Sequence, residues 1–265
     1  MFPVLASVAP LAAQQAEVSL KVDVVAWGDE IGDLSFKSGE KNGEITALSF
    51  RYSTSVPYSG PALIEILKNG DGNTKPKPQA TDEDLKHQLM PLKPEEPTAN
   101  QDGPAKQGVA LELEKRRKKA PNLVALAALP SNCRRATVLL APIGDGTFFA
   151  YVVDDDPGKL PVGQLRIHNL SPHTIAMRFG GAATHEIKTR ATLVVPVADE
   201  QISYDLAYQA EDEWKFQEHN FLPVYAPDQT QMIILKSNNS FFLSSDGSSG
   251  GYLQVVTLRR SPTNK

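Results

Sequence analysis

The chain has 265 residues, 41% hydrophobic and 22% charged, which is enough apolar material for two cores and too much for wholesale disorder. A formal net charge of −4 leaves no basic footprint for nucleic acid or anionic lipid, and no apolar run reaches the roughly 18 residues of a membrane-spanning helix. With Cys133 as the single cysteine, an internal disulfide is excluded.

Met1–Ala13 is uncharged, apolar and rich in small residues, and it changes character abruptly at Gln14 and Gln15. That is the make-up of a secretory signal's apolar core and cleavage region, although no Lys or Arg precedes it. Residues 1–16 are expected to be a signal peptide or tail, with the protein exported to the periplasm, the cell surface or the medium. From Val18 the apolar residues alternate. Val18, Leu20, Val22, Val24 and Ala26 face one way, and Glu17, Ser19, Lys21 and Asp23 the other, which describes a half-buried strand. Further strands are expected at Leu34–Lys37, Ile45–Tyr52 and Leu63–Leu67, between clusters of Gly, Asn, Ser and Pro.

Residues 69–120 break this pattern. They contain six prolines and no aromatic residue, and their charges are interleaved. Such a stretch buries too little apolar surface to offset the entropy of ordering it, so it predicts a disordered insertion. A short helix is expected around Val109–Glu114, followed by a solvated basic run at Lys115–Lys119. Strands resume at Leu123–Leu129, Ala136–Ala141 and Thr147–Val153, with a hairpin turn at Gly144–Asp145–Gly146. Cys133, between Asn132 and Arg134, reads as an ordinary thiol in a turn. Asp154–Asp155–Asp156–Pro157–Gly158 reads as a solvated turn. Beyond it strands are expected at Leu165–His168, Ile175–Phe179, Glu186–Val195, Ile202–Gln209, Trp214–Gln217, Met232–Leu235, Phe241–Leu243 and Leu253–Leu258. Short strands at this spacing predict a β-sandwich.

The halves echo one another. Leu129–Pro130, a polar stretch, Thr137–Leu140, a Gly-rich turn and Phe148–Phe149 leading to Asp154 find a counterpart downstream. There Ala226–Pro227, a polar stretch, Met232–Leu235, an Asn-rich turn and Phe241–Phe242 lead to Asp246. The echo joins residues 18–68 and 121–156 into one unit, with the insertion bulging from it. Ala26–Trp27–Gly28–Asp29, Tyr58–Ser59–Gly60–Pro61, Leu160–Pro161–Val162–Gly163 and Asn169–Leu170–Ser171–Pro172 resemble features of uncharacterised exported bacterial proteins with tandem immunoglobulin-like sandwiches. The resemblance implies an all-β fold of two antiparallel immunoglobulin-like sandwich lobes. The first spans residues 17–156 and is interrupted by the insertion at 69–120; the second spans residues 157–265. That family type carries over no catalytic or binding residues.

Candidate chemistry is sparse. Gly247–Ser248–Ser249–Gly250–Gly251 fits G-x-S-x-G, but a strand follows where the nucleophile elbow needs a helix. Ser38–Gly39–Glu40–Lys41 fits S-x-x-K but reads as a turn. His168, His173 and His185 suggest a three-ligand metal site whose spacing matches no ligand pattern, and with His87 and His219 they read as surface or edge histidines. Asp154–Asp156 offers carboxylates to a hard cation without the regular spacing of a calcium loop. Trp27, Trp214, Tyr204, Tyr208 and Tyr225 offer a sugar platform, or simply core. No catalytic, cofactor or metal residue is assigned. The expected function is a non-enzymatic exported interaction or structural module that binds another protein. A carbohydrate-binding module is the alternative, and a hydrolase centred on Ser249 or Asp154–Asp156 a distant third.

Overall fold

The computed structural model describes residues 17–69, 104–156, 158–160, 162–197, 200–236 and 252–261, with helix side chains from residue 111 onward. The expected signal, His87, Phe241–Leu243 and the Ser249 motif lie outside the described residues. The N-terminal half contains β1 (Glu17–Ala26), β2 (Ile31–Ser38), β3 (Lys41–Ser49), β4 (Val56–Pro61), β5 (Leu63–Lys68), α1 (Pro104–Arg117), β6 (Leu123–Ala128), β7 (Arg135–Gly144) and β8 (Thr147–Asp154). The C-terminal half contains β9 (Gln164–Asn169), β10 (Ile175–Phe179), β11 (Thr184–Ile187), β12 (Thr192–Pro196), β13 (Gln201–Ala210), β14 (Glu213–Pro223), β15 (Gln229–Lys236) and β16 (Leu253–Arg260).

Both halves follow one pairing scheme. In the C-terminal half, β12-β9-β15-β16 and β11-β10-β13-β14 are two four-stranded sheets around a shared core. In the N-terminal half β1 pairs with β4 and β7, β7 with β8, β2 with β3 and β5, and β5 with β6. That is the same wiring, strand for strand. Within each half the first strand runs parallel to the seventh, β1 with β7 and β9 with β15. The echoed segments Thr137–Leu140 and Met232–Leu235 are those seventh strands. The N-terminal half adds a short parallel bridge from β1 to β3 at Val25–Leu48 and Ala26–Ser49, which merges its two layers into one eight-stranded sheet. β6 also comes alongside β8, so that sheet curls almost to a barrel.

All-β architecture is therefore observed, but purely antiparallel lobes are not, because both sheet systems are mixed. The alternation in β1 explains how. Val18, Leu20, Val22, Val24 and Ala26 enter the N-terminal core with Phe36, Ile64 and Val138. Asp23 and Val25, on the opposite face, are fully buried too, against the other half. A parallel pair of this kind is covered on both faces. Glu186–Val195, expected as one strand, is instead β11 and β12, which lie in different sheets. The hairpin turn at Asp145–Gly146 has positive φ at both positions (51° and 68°), as does Glu211–Asp212 (51° and 65°). Such turns match the right-handed twist of the strands they join.

The expected disorder across 69–120 is corrected at its C-terminal end, since residues 104–117 form α1. Leu113 is buried against Leu123 and Leu126, with Leu63, Leu67 and Ala120 packed around them. The basic run is not wholly solvated. Arg116 reaches Glu65 on β5 at 2.6 Å and Glu112 one turn back at 2.7 Å.

Candidate functional site

The halves meet through equivalent sheets. Val25, Trp27 and Leu139 pack against Ile233, Leu235, Val256 and Leu258, with Phe50, Tyr52 and Tyr151 around them. Each seventh strand supplies both its own core and this junction: Met232 and Ile234 point inward, Ile233 and Leu235 across. Phe50 sits at φ 49°, a left-handed conformation costing about 1 kcal/mol, with its ring edge-on to Trp27 at 5.6 Å.

A polar chain runs through this apolar contact. The Arg260 Nη2 group donates to Asp23 Oδ2 at 2.9 Å and to Asp155 Oδ2 at 2.8 Å, and the guanidinium lies 4.0 Å from the Tyr52 ring centroid. Ser55 and Thr137 hydroxyls complete the two carboxylates at 2.5 and 3.0 Å. Gln231 Nε2 donates to Asp155 Oδ1 at 2.6 Å and to Tyr52 Oη at 2.8 Å. Its Oε1 then faces His168 Nε2 at 2.7 Å, so that nitrogen carries the proton. His168 Nδ1 accepts from the Thr192 hydroxyl at 3.2 Å. Burial raises the Asp155 carboxyl above its usual range despite Arg260, and burial depresses His168 to about 4. Burial opposes the Arg260 charge, but Asp23 and Asp155 outweigh it and leave that pKa raised.

The structure scatters the residues singled out from sequence. Asp154–Asp156 is not one solvated carboxylate cluster. Asp155 is buried at the junction, Asp154 pairs with Lys159, and Asp156 accepts from the Gly158 and Arg134 amides. His168 is a buried junction residue rather than a surface one. His173 bonds Gln209 O and Tyr252 Oη, His185 lies beside Phe179, and His219 bonds Asp205. Among the described residues no cluster of His, Cys, Asp and Glu is grouped to hold a metal. Ser38 and Lys41 flank a two-residue turn, and the Ser38 hydroxyl donates to Pro57 O at 3.3 Å. Cys133 is buried against the N-terminal core, and burial pushes its thiol up.

The aromatic candidates divide. Trp27 and Tyr204 are core, and Tyr208 stacks on Tyr252 at 4.7 Å. Trp214 is 44% exposed, with Phe216 at 67% and Phe221 at 55% on the same strand. Among the described residues β14 pairs with β13 alone, so it forms a sheet edge. Asp205 sits beside these rings, held below the usual carboxylate range by His219 first and then Arg178.

A cleft of about 590 Å³ opens where the junction faces diverge. It lies between Phe149 and Tyr151 of β8 on one side and Arg166, His168 and Thr192 of β9 and β12 on the other. Sequence reasoning missed Arg166, Gln231, Tyr52 and Arg260. The available signal was a polar residue inside an apolar run, as in Leu165–Arg166–Ile167–His168 and Thr230–Gln231–Met232. No protein-family model matches the chain, and no curated protein matches it in sequence.

Proposed function

We propose that the chain is a non-catalytic binding module that takes an extended segment of a partner protein onto β14. The carrying observation is this eleven-residue edge strand, bearing exposed Trp214, Phe216 and Phe221. An open edge offers main-chain donors and acceptors for strand addition, and exposed aromatic side chains supply contact area. Capture by the whole chain of a partner polypeptide that is lost with Phe216→Lys and kept with the remote Lys41→Ala supports the reading. Equal capture by both variants refutes it.

A glycan ligand is the second reading, favoured by the exposed Trp214 and Phe216, two residues apart on one strand face. The chain has two tryptophans and Trp27 is buried, so a red-edge fluorescence change on adding soluble polysaccharides reports on Trp214. Export belongs to the same proposal. N-terminal sequencing of native protein should find a start near residues 14 to 17, and a start at Met1 would remove that part. The immunoglobulin-like assignment rests on the two-sheet construction of the C-terminal half.

A further inference from the structure

Arg166 is 5% exposed, and among the described residues its guanidinium has one hydrogen bond, from Nη1 to the main-chain carbonyl of Asp154 at 3.0 Å. A carbonyl is a dipole and cannot neutralise a buried cation. His168, two residues along β9, is held neutral, with burial first and the Arg166 charge among the causes. Asp154, the carboxylate lining this cleft, is paired with Lys159. Asp23 and Asp155 are taken by Arg260. A buried charge without a counter-ion costs several kcal/mol; among the described residues Arg166 has none, and it opens onto a cleft rather than onto packed protein. Arg190 adds a second cation at the rim. The opposite wall is apolar, with the Phe149 and Tyr151 rings edge-to-face at 4.7 Å.

We propose that this cleft between the halves binds a small organic acid, its carboxylate taken by Arg166 and its apolar body laid against Phe149 and Tyr151. A guanidinium presents parallel N–H donors that match a carboxylate's two oxygens, and the pair is stronger where water is excluded. The cleft volume suits a small ligand, and clefts between structural units are where such sites occur most often. Thr192, beside His168, places a hydroxyl at the same wall.

The test is an NMR titration of the whole chain with sodium benzoate, its neutral isostere benzamide, and inorganic phosphate. Benzoate should saturate with a Kd of about 1 mM, fitting a fragment of its size, and shift the Tyr151, Thr192 and Arg166 side-chain signals. Benzamide, which lacks the charge, and phosphate, which lacks the ring, should each bind at least about tenfold more weakly. Arg166→Met should abolish benzoate binding while melting no lower than wild type, because it removes an uncompensated buried cation. Should that variant fail to fold, the exposed Arg190→Ala still decides: a weakening of about threefold supports the site, and unchanged affinity overturns it. The inference is also overturned if benzoate gives no saturable shift, if benzamide or phosphate binds as well as benzoate, or if a folded Arg166→Met retains binding.

Discussion

His168 holds one proton on Nε2, pinned there by the Gln231 carbonyl, and gives Nδ1 to the Thr192 hydroxyl. Burial inside the junction disfavours a second proton, and the Arg166 charge adds to that against the opposing pull of Gln231, so the folded pKa sits near 4. Unfolded, the same ring protonates near 6.5. As pH falls from 6.5 towards 4, the unfolded chain therefore binds a proton that the folded chain refuses. Stability declines across that window, by about 3 kcal/mol at its lower end. Asp155 acts in the opposite sense. Its raised carboxyl pKa means that its contribution shrinks as pH climbs from the ordinary carboxylate value through the raised one. Urea unfolding of His168→Gln at pH 7 and pH 4 should show a smaller drop than wild type; an identical drop would mean the imidazole is not the group responsible. None of this was legible from residue spacing. His168 looks like an edge histidine until the second sheet system covers it, because its partners lie 63 residues away at Gln231 and 24 away at Thr192.

At the scale of elements, the β13–β14 hairpin joins the C-terminal sheet to its exposed edge through Glu211 and Asp212, both left-handed. Neither residue is the natural choice for that conformation, whereas Asn followed by Gly adopts it readily. Replacing the pair (Glu211→Asn with Asp212→Gly) should raise stability by about 1 kcal/mol without altering the edge, as read by thermal unfolding and by unchanged Trp214 fluorescence. A fall in stability would argue that the hairpin register depends on the native pair. The strands here were readable because Tyr204, Leu206 and Tyr208 alternate cleanly with polar neighbours. Other elements were harder. β4 carries Pro57, Gly60 and Pro61, residues that demote a strand, yet it pairs along β1 from Glu17 to Val22. Helix α1 lacks aromatic residues altogether, and Leu113, its buried residue among the described side chains, gains its value from Leu123 and Leu126 on β6. Composition measures what a segment carries and is blind to what covers it.

For the whole molecule, the repeated wiring matters more than any single strand. β5 pairs with β6, and β1 with β7, so residues on both sides of 70–103 share one sheet. Among the described residues the sequence echo is carried by the seventh strands, whose centres are buried on both faces in each half and so held to a nearly continuous apolar run. The mixed sheet direction was not legible, since a parallel neighbour leaves no mark on spacing when the two strands lie this far apart in the chain.

Because each half presents the other with the equivalent sheet of one wiring scheme, the junction does not depend on both halves belonging to the same chain. Two copies can exchange C-terminal halves across the segment between Asp154 and Gln164 and remake every contact, from Val25–Leu139 against Ile233–Leu235 to Arg260 between Asp23 and Asp155. Refolding at increasing protein concentration should then yield a growing fraction of dimer with a monomer-like far-ultraviolet spectrum, scored by light scattering on a sizing column. A population that stays monomeric at every concentration would show that the connection between the halves, and not the surfaces it joins, decides which partner each half finds.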